Sequence, residues 1–148
     1  MFSKILVAVD GSEQSDRAVD TAIDLARKYD GLVIALCVYR HHSQAEASLS
    51  MVRVGLQGGD TPDQALKQFA TETAAAAKAR LIEGGVEKVE AFAKRGHPAR
   101  AIVDFADQRN CDAIVLGARG HGDADGFFLG SVSHKVVGLS KVTCVVAK

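Results

Sequence analysis

No stretch of this 148-residue chain approaches the roughly 20 consecutive apolar residues that cross a bilayer, so a membrane-embedded protein is not the reading. Nor does charge of one sign dominate, since Lys plus Arg and Asp plus Glu stand at 18 each. Without a global field or a local basic patch, recruitment by nucleic acid or an acidic membrane surface falls away. Met1 to Asp10 is a strand-like run, too short for the hydrophobic part of a secretory signal and lacking its cleavage site, so the cytoplasm is the expected compartment. Cys37, Cys111 and Cys144 form no C-x-x-C spacing, which excludes the common metal and redox patterns and predicts buried free thiols in a reducing cytoplasm. There is no internal repeat, low-complexity tract or linker, and one domain over residues 1–148 is expected.

What is present is an alternation of apolar runs and amphipathic segments. Ile5 to Val9 is nearly continuous in β-favouring residues, as suits a strand covered on both faces of a parallel sheet. Ser12 then caps a helix whose Ala18, Val19, Ala22, Ile23, Ala26 and Tyr29 recur on one face, closed by Gly31. Leu32 to Tyr39 is a second buried strand. His41 to Asp60 has no sustained period and reads as a variable loop, a lid or a partner surface; the His41-His42 pair lacks partners at ligand spacing.

Thr61-Pro62-Asp63-Gln64 is a helix start with a capping box, and Leu66, Phe69, Ala70, Thr73, Ala77 and Leu81 form its inward face up to Gly84-Gly85. Glu87 to Lys94 alternates, with Val89, Ala91 and Ala93 on one side, as an edge strand does. Pro98 opens a helix carrying Ala101, Ile102, Phe105 and Ala106 inward and ending at Asn110. Asp112 to Leu116 is a fourth strand, Ser131 to Leu139 a fourth helix and Val142 to Ala147 a fifth strand. Five strands and four helices in alternation predict a doubly wound, Rossmann-like α/β fold with a parallel sheet.

Between the fourth strand and fourth helix lies the chemically distinctive stretch. Gly117, two residues, Gly120, nine residues, then Gly130-Ser131 is a glycine-rich loop running into a helix start, which is how backbone amides hold phosphate. It lacks the lysine of the Walker pattern, Gly130 standing in that place, and its glycines miss the dinucleotide offsets. A loop without a ligand is the alternative. In a doubly wound sheet this loop and the Asp10 tip meet at one crevice if the first and fourth strands are neighbours.

These residues resemble the universal stress protein family. The resemblance rests on Val7 to Ser12, His97-Pro98, Asp112 to Gly120, Gly130 to Ser133 and the closing Val-x-Val strand, and it covers the whole chain. It implies a sheet of order 3-2-1-4-5 and the subgroup that binds ATP through the Gly-2-Gly-9-Gly-Ser pattern. Carried over residue by residue, it implies nucleotide contacts from Ala8 and Val9, from Asp10 by the ribose or adenine, and from the Val38 backbone beside the adenine. Leu116, Gly117, Arg119 and Gly120 would follow along the nucleotide, and Gly130, Ser131, Val132 and Ser133 at the phosphate-binding helix start.

Each residue keeps an independent reading. Asp10 is also placed to cap the turn at Gly11-Ser12, Arg119 to pair with Asp123 instead of phosphate, and Ser131 to be only an N-cap. His121 reads as a solvated loop histidine. Asp123 and Asp125 make the loop more acidic than phosphate prefers, unless they face solvent or help hold Mg²⁺.

The function expected is an ATP-binding module, with Mg²⁺, that signals nucleotide state to a protein partner such as a transporter, with little or no hydrolysis. The resemblance also implies a homodimer through the Val142–Val146 strand, and an apolar terminal edge strand points the same way. The alternatives are a slow ATPase or self-phosphorylating protein using Ser131 or Ser133, and a nucleotide-free dimeric interaction module. A receiver or flavin domain fits least, because Asp10 stands alone and the third strand ends Lys94-Arg95.

Overall fold

The computed structural model describes residues 1–40, 61–119 and 129–148. The strands are β1 (Lys4–Ala8), β2 (Leu32–Tyr39), β3 (Val89–Arg95), β4 (Ala113–Gly117) and β5 (Thr143–Ala147). Between them run α1 (Glu13–Tyr29), α2 (Pro62–Glu83), α3 (Pro98–Gln108) and α4 (Ser131–Leu139). All four strand pairings are parallel and the order is β3-β2-β1-β4-β5, as expected.

The continuous apolar runs are explained by two cores. Ile5, Val7, Val33, Ala35, Ala113 and Val115 face α1 and α2, where they meet Val19, Ala22, Ala70 and Leu81. Leu6, Ile34, Leu36, Ile114 and Leu116 face α3 and α4, against Ile102, Phe105, Ala106 and Val136. Because successive side chains of a strand point to opposite faces, only residues apolar at every position satisfy both layers. Ile5 and Leu6 are both fully buried, and each such side chain contributes about 1.5–3 kcal/mol.

The predicted caps form. Ser12 Oγ accepts the Ser15 N–H at 3.2 Å, and both halves of the capping box are made: Thr61 Oγ1 accepts from Gln64 N–H at 3.2 Å, and Gln64 Oε1 from Thr61 N–H at 2.9 Å. The close of α1 differs from expectation. Asp30, not Gly31, takes the left-handed conformation, with φ 54°. Gly31 is needed for another reason, since a Cβ there would lie 2.4 Å from the Phe2 carbonyl oxygen.

Two inward faces also need correction. Tyr29 is 38 % exposed and packs edge-to-face on Phe2, with ring centroids 5.2 Å apart. In α2, Ala74 is buried and Thr73 only half so. Ala70, Ala74 and Ala77 together keep that face flat against β2 and β3.

The edge strand β3 turns Val89, Ala91 and Ala93 inward as predicted. On its other side Phe92 meets Phe105 at 5.4 Å, and the Arg109 guanidinium, paired with Glu90, lies 5.0 Å from the Phe92 ring. Cation and ring shield each other at the sheet's rim.

Asp112, expected as the first residue of the fourth strand, stands just before β4 and ties it to β1. Its Oδ2 accepts the Ser3 N–H and the Ser3 hydroxyl, each at 2.8 Å, and its Oδ1 accepts the Lys4 N–H at 3.3 Å. Burial pushes the carboxyl up, but these donors outweigh it and hold Asp112 below its ordinary value. No helix among the described residues is long and apolar enough to cross a membrane.

The thiols divide. Cys37 is buried, and desolvation followed by the Asp10 charge pushes it up to about 12. Burial likewise pushes Cys111 up to about 11. Cys144, expected to be buried, is half-exposed because β5 is an edge strand. An aromatic disulfide reagent should therefore modify one thiol of the native protein quickly, and Cys144→Ser should abolish that phase. Cys37 and Cys111 bind their protons more tightly in the fold than in the open chain. Above the ordinary thiol value of about 8.5 the unfolded chain loses protons that the native chain keeps, so stability should fall as pH rises from there. Urea midpoints at pH 7 and pH 10 test this, with the lower one expected at pH 10.

Candidate functional site

β1 and β4 lie side by side, Val7 opposite Val115, so the residues that follow each strand emerge at one edge of the sheet. The condition set for a crevice between the Asp10 turn and the exit of β4, that these strands be neighbours, is met. A direct bond crosses it: the Arg119 N–H donates to Gln14 Oε1 at 2.6 Å, joining the first turn of α1 to the start of the glycine loop.

The β1 side is held by its own turn. Asp10 Oδ1 accepts the Ser12 N–H at 2.9 Å, and the Asp10 N–H donates to Ser15 Oγ at 3.2 Å. The turn-capping reading of Asp10 is thus made, and it fixes the carboxylate at the crevice.

On the β4 side, Gly117 is dictated by packing. A Cβ there would lie 2.9 Å from both the carbonyl carbon and the oxygen of Gln14, which are backbone atoms unable to yield. Ala118 then ties the loop's two ends. Its N–H donates to the Ala147 carbonyl at 2.7 Å, and its carbonyl accepts the Gly130 N–H at 2.7 Å and the Ser133 hydroxyl at 2.7 Å. Gly120, His121, Asp123 and Asp125 lie outside the described residues, as does the segment His41 to Asp60.

The start of α4 departs from expectation in its details. Gly130, not Ser131, is the N-cap, and Ser131 is the exposed first helical residue. Ser133 is 3 % exposed, with its hydroxyl committed to Ala118, so it braces the loop and leaves Ser131 as the accessible hydroxyl. No side chain caps this helix and no acidic residue stands in its first turn. α1 and α2, by contrast, close their own starts with Ser12 and Thr61. α3 also lacks a side-chain cap, and Pro98 removes one of its first-turn amides. The first turn of α4 thus presents amide donors and the positive end of the helix dipole.

Beside this polar edge stands an apolar wall. Ala8, Val38, Leu116 and Val132 all belong to the α3–α4 side of the sheet. The Val9 side chain lies on the opposite face, against α1 and α2, where a cleft of about 540 Å³ runs between Val9, Val19, Phe69 and Thr73. Among the described residues no three His, Cys, Asp or Glu side chains gather to hold a metal ion. Sequence reasoning missed Gln14 and Ala118: a side chain that bonds 105 positions away leaves no local signature.

A family model for the universal stress protein family matches residues 1–148, and the chain belongs to that family. The universal stress protein YxiE of Bacillus subtilis is 36 % identical over 147 residues, covering 99 % of this chain and 97 % of its own. Among solved structures, the universal stress protein of Archaeoglobus fulgidus in complex with dAMP is 26 % identical with a TM-score of 0.70, covering 100 % of both chains. A universal stress protein in complex with cAMP is also 26 % identical, with a TM-score of 0.71, covering 99 % of this chain and 97 % of that one.

Gly117→Ala should lower the urea midpoint more than Ser133→Ala does. The first forces a Cβ into the α1 backbone, at a cost of about 1–3 kcal/mol. The second removes one donor from a carbonyl that keeps another, at about 1 kcal/mol.

Proposed function

We propose that residues 1–148 form one nucleotide-binding regulatory domain, which binds ATP at the crevice between β1 and β4 and relays nucleotide state to a protein partner, with little or no hydrolysis. The observation that carries this reading is the uncapped start of α4, tied by the Gly130 N–H to the Ala118 carbonyl at the exit of β4. Anions bind such helix starts through backbone amides; the Gly130 N–H is taken by Ala118, so the amides of Ser131, Val132 and Ser133 would receive phosphate beside it. The half-buried Ala8 would give an adenine ring an apolar neighbour, Val38 would meet it through its backbone, and Asp10 would give a ribose an acceptor. Arg119, two residues past the end of β4, would supply a cation to the phosphates. The two relatives bound to dAMP and cAMP support an adenine nucleotide as the ligand.

Mg²⁺ would arrive on the phosphates, because the described residues gather no three acidic, His or Cys side chains to hold it and magnesium keeps most of its water. Hydrolysis needs concentrated positive charge on the terminal phosphate and a positioned water. Neither the Walker lysine nor an obvious base stands in this sequence. A partner such as a transporter would read the bound state through the surface around the crevice. Self-phosphorylation is the second reading, and the exposed Ser131 hydroxyl is its natural acceptor.

Calorimetric titration with ATP and Mg²⁺, repeated with AMP, is expected to give about one site per chain in the micromolar range, near −8 kcal/mol. Gly130→Val should abolish it while leaving the melting temperature nearly unchanged. No heat up to roughly millimolar nucleotide, weaker than about −4 kcal/mol, would leave the loop structural. An added phosphate mass on Ser131 after incubation with ATP would move the reading to the enzyme.

We further propose a homodimer through residues 142–146. β5 pairs with β4 on one side and ends the sheet on the other, while Val137 and Leu139 of α4 stand exposed nearby. An apolar edge of this kind is a template for a second strand. Light scattering is expected to give twice the 15.6 kDa of the chain; the single-chain mass at high concentration refutes the dimer.

A further inference from the structure

The crevice depends on one side chain that the nucleotide reading does not use. Arg119 is the first described residue past Ala118 that enters the glycine loop, and its N–H is taken by Gln14 Oε1 at 2.6 Å. Gln14 itself is fixed twice. Its backbone lies against Gly117, so close that a Cβ on Gly117 would sit 2.9 Å from it. It is also followed directly by the buried Ser15, whose hydroxyl accepts the Asp10 N–H. A continuous set of contacts therefore runs from the Asp10 turn through Ser12, Ser15 and Gln14 to the Arg119 backbone. The preceding residue, Ala118, is anchored from the other side by Ala147, Gly130 and Ser133. Arg119 leaves this double anchorage with its backbone set and its guanidinium as the part left to move.

The geometry points to Gln14 as a positioning residue, whose carboxamide sets where Arg119 presents its charge and so tunes the preference for polyphosphate over monophosphate nucleotides. This inference rests on the reading of the crevice as a nucleotide site. The chemistry of the side chain fits the task. A carboxylate would accept the same hydrogen bond but bring a negative charge beside the phosphates, and a lysine or arginine could not accept it at all. A neutral amide accepts without repelling. Its effect should scale with phosphate number, because a guanidinium gains more from the greater charge and additional oxygens of ATP than from those of AMP.

The test uses the whole chain with Gln14→Met, which keeps length and packing but is only a weak acceptor, and Gln14→Glu, which restores a strong one. Calorimetry with Mg-ATP and with AMP is read beside melting temperature and hydrogen exchange of the Arg119 amide. Gln14→Met is expected to weaken ATP about tenfold, the loss of one charge-assisted contact, and AMP less than about twofold. Its Arg119 amide should exchange faster at an unchanged melting temperature. Gln14→Glu should recover the slow exchange yet bind ATP more weakly than wild type at low salt, with the gap closing as salt rises. A Gln14→Met protein with the wild-type ratio of ATP to AMP affinity overturns the inference and leaves the nucleotide site standing. So does a parallel loss of both nucleotides with a falling melting temperature, which marks Gln14 as structural only. A wild type that binds neither nucleotide overturns the site and this inference together.

Discussion

The parallel pairing of β1 with β4 at the centre of the sheet is the constraint from which the rest follows. Chain connectivity sends β1 outward to β2 and β3 in one direction and β4 to β5 in the other, so the two central strands end side by side with their following segments turned apart. Among the described strands this is where neighbours diverge in this way, the place at which open α/β sheets form their crevice. Asp112 holds the opposite end of the same pair by gathering three donors from Ser3 and Lys4. The strands are thus clamped where they begin and left open where they finish.

Composition and site agree with one another. A chain of zero net charge exerts little attraction at a distance, so donors for an anion have to be local, and those at the start of α4 are amides whose direction the backbone sets. Such donors need no side chain, but they need other side chains to stay away. That is visible at Gly130, where no cap competes, and at Gly117, where the missing Cβ lets α1 come within contact of β4. Glycine here serves close approach more than flexibility.

How far the sequence could be read depended on the range of the interaction. β1, β2 and β4 were legible because strands covered on both faces must be apolar at every position, and Ser12 and the Thr61–Gln64 box because capping spans three residues. The crevice followed from topology alone. What escaped notice joins distant positions: Gln14 to Arg119, Ser133 to Ala118, Gly31 to Phe2. Ser133 is instructive, since its place in the motif suggested a phosphate ligand whereas its burial and its bond to Ala118 give it a bracing role. Tyr29 and Cys144 failed for a related reason, because periodicity assigns a face but does not say how much of that face another element covers.

Ala118 has a mechanical consequence. Its carbonyl holds the two donors that close the loop, and its N–H holds Ala147, at the end of the outermost strand. The N–H and the carbonyl belong to successive stiff peptide planes that meet at the Ala118 Cα, so loop and strand are linked through that one residue's two dihedrals. Ala118 is in this sense a crank: torque applied at the mouth of the crevice arrives at the rim of the sheet over a single residue, without crossing either core.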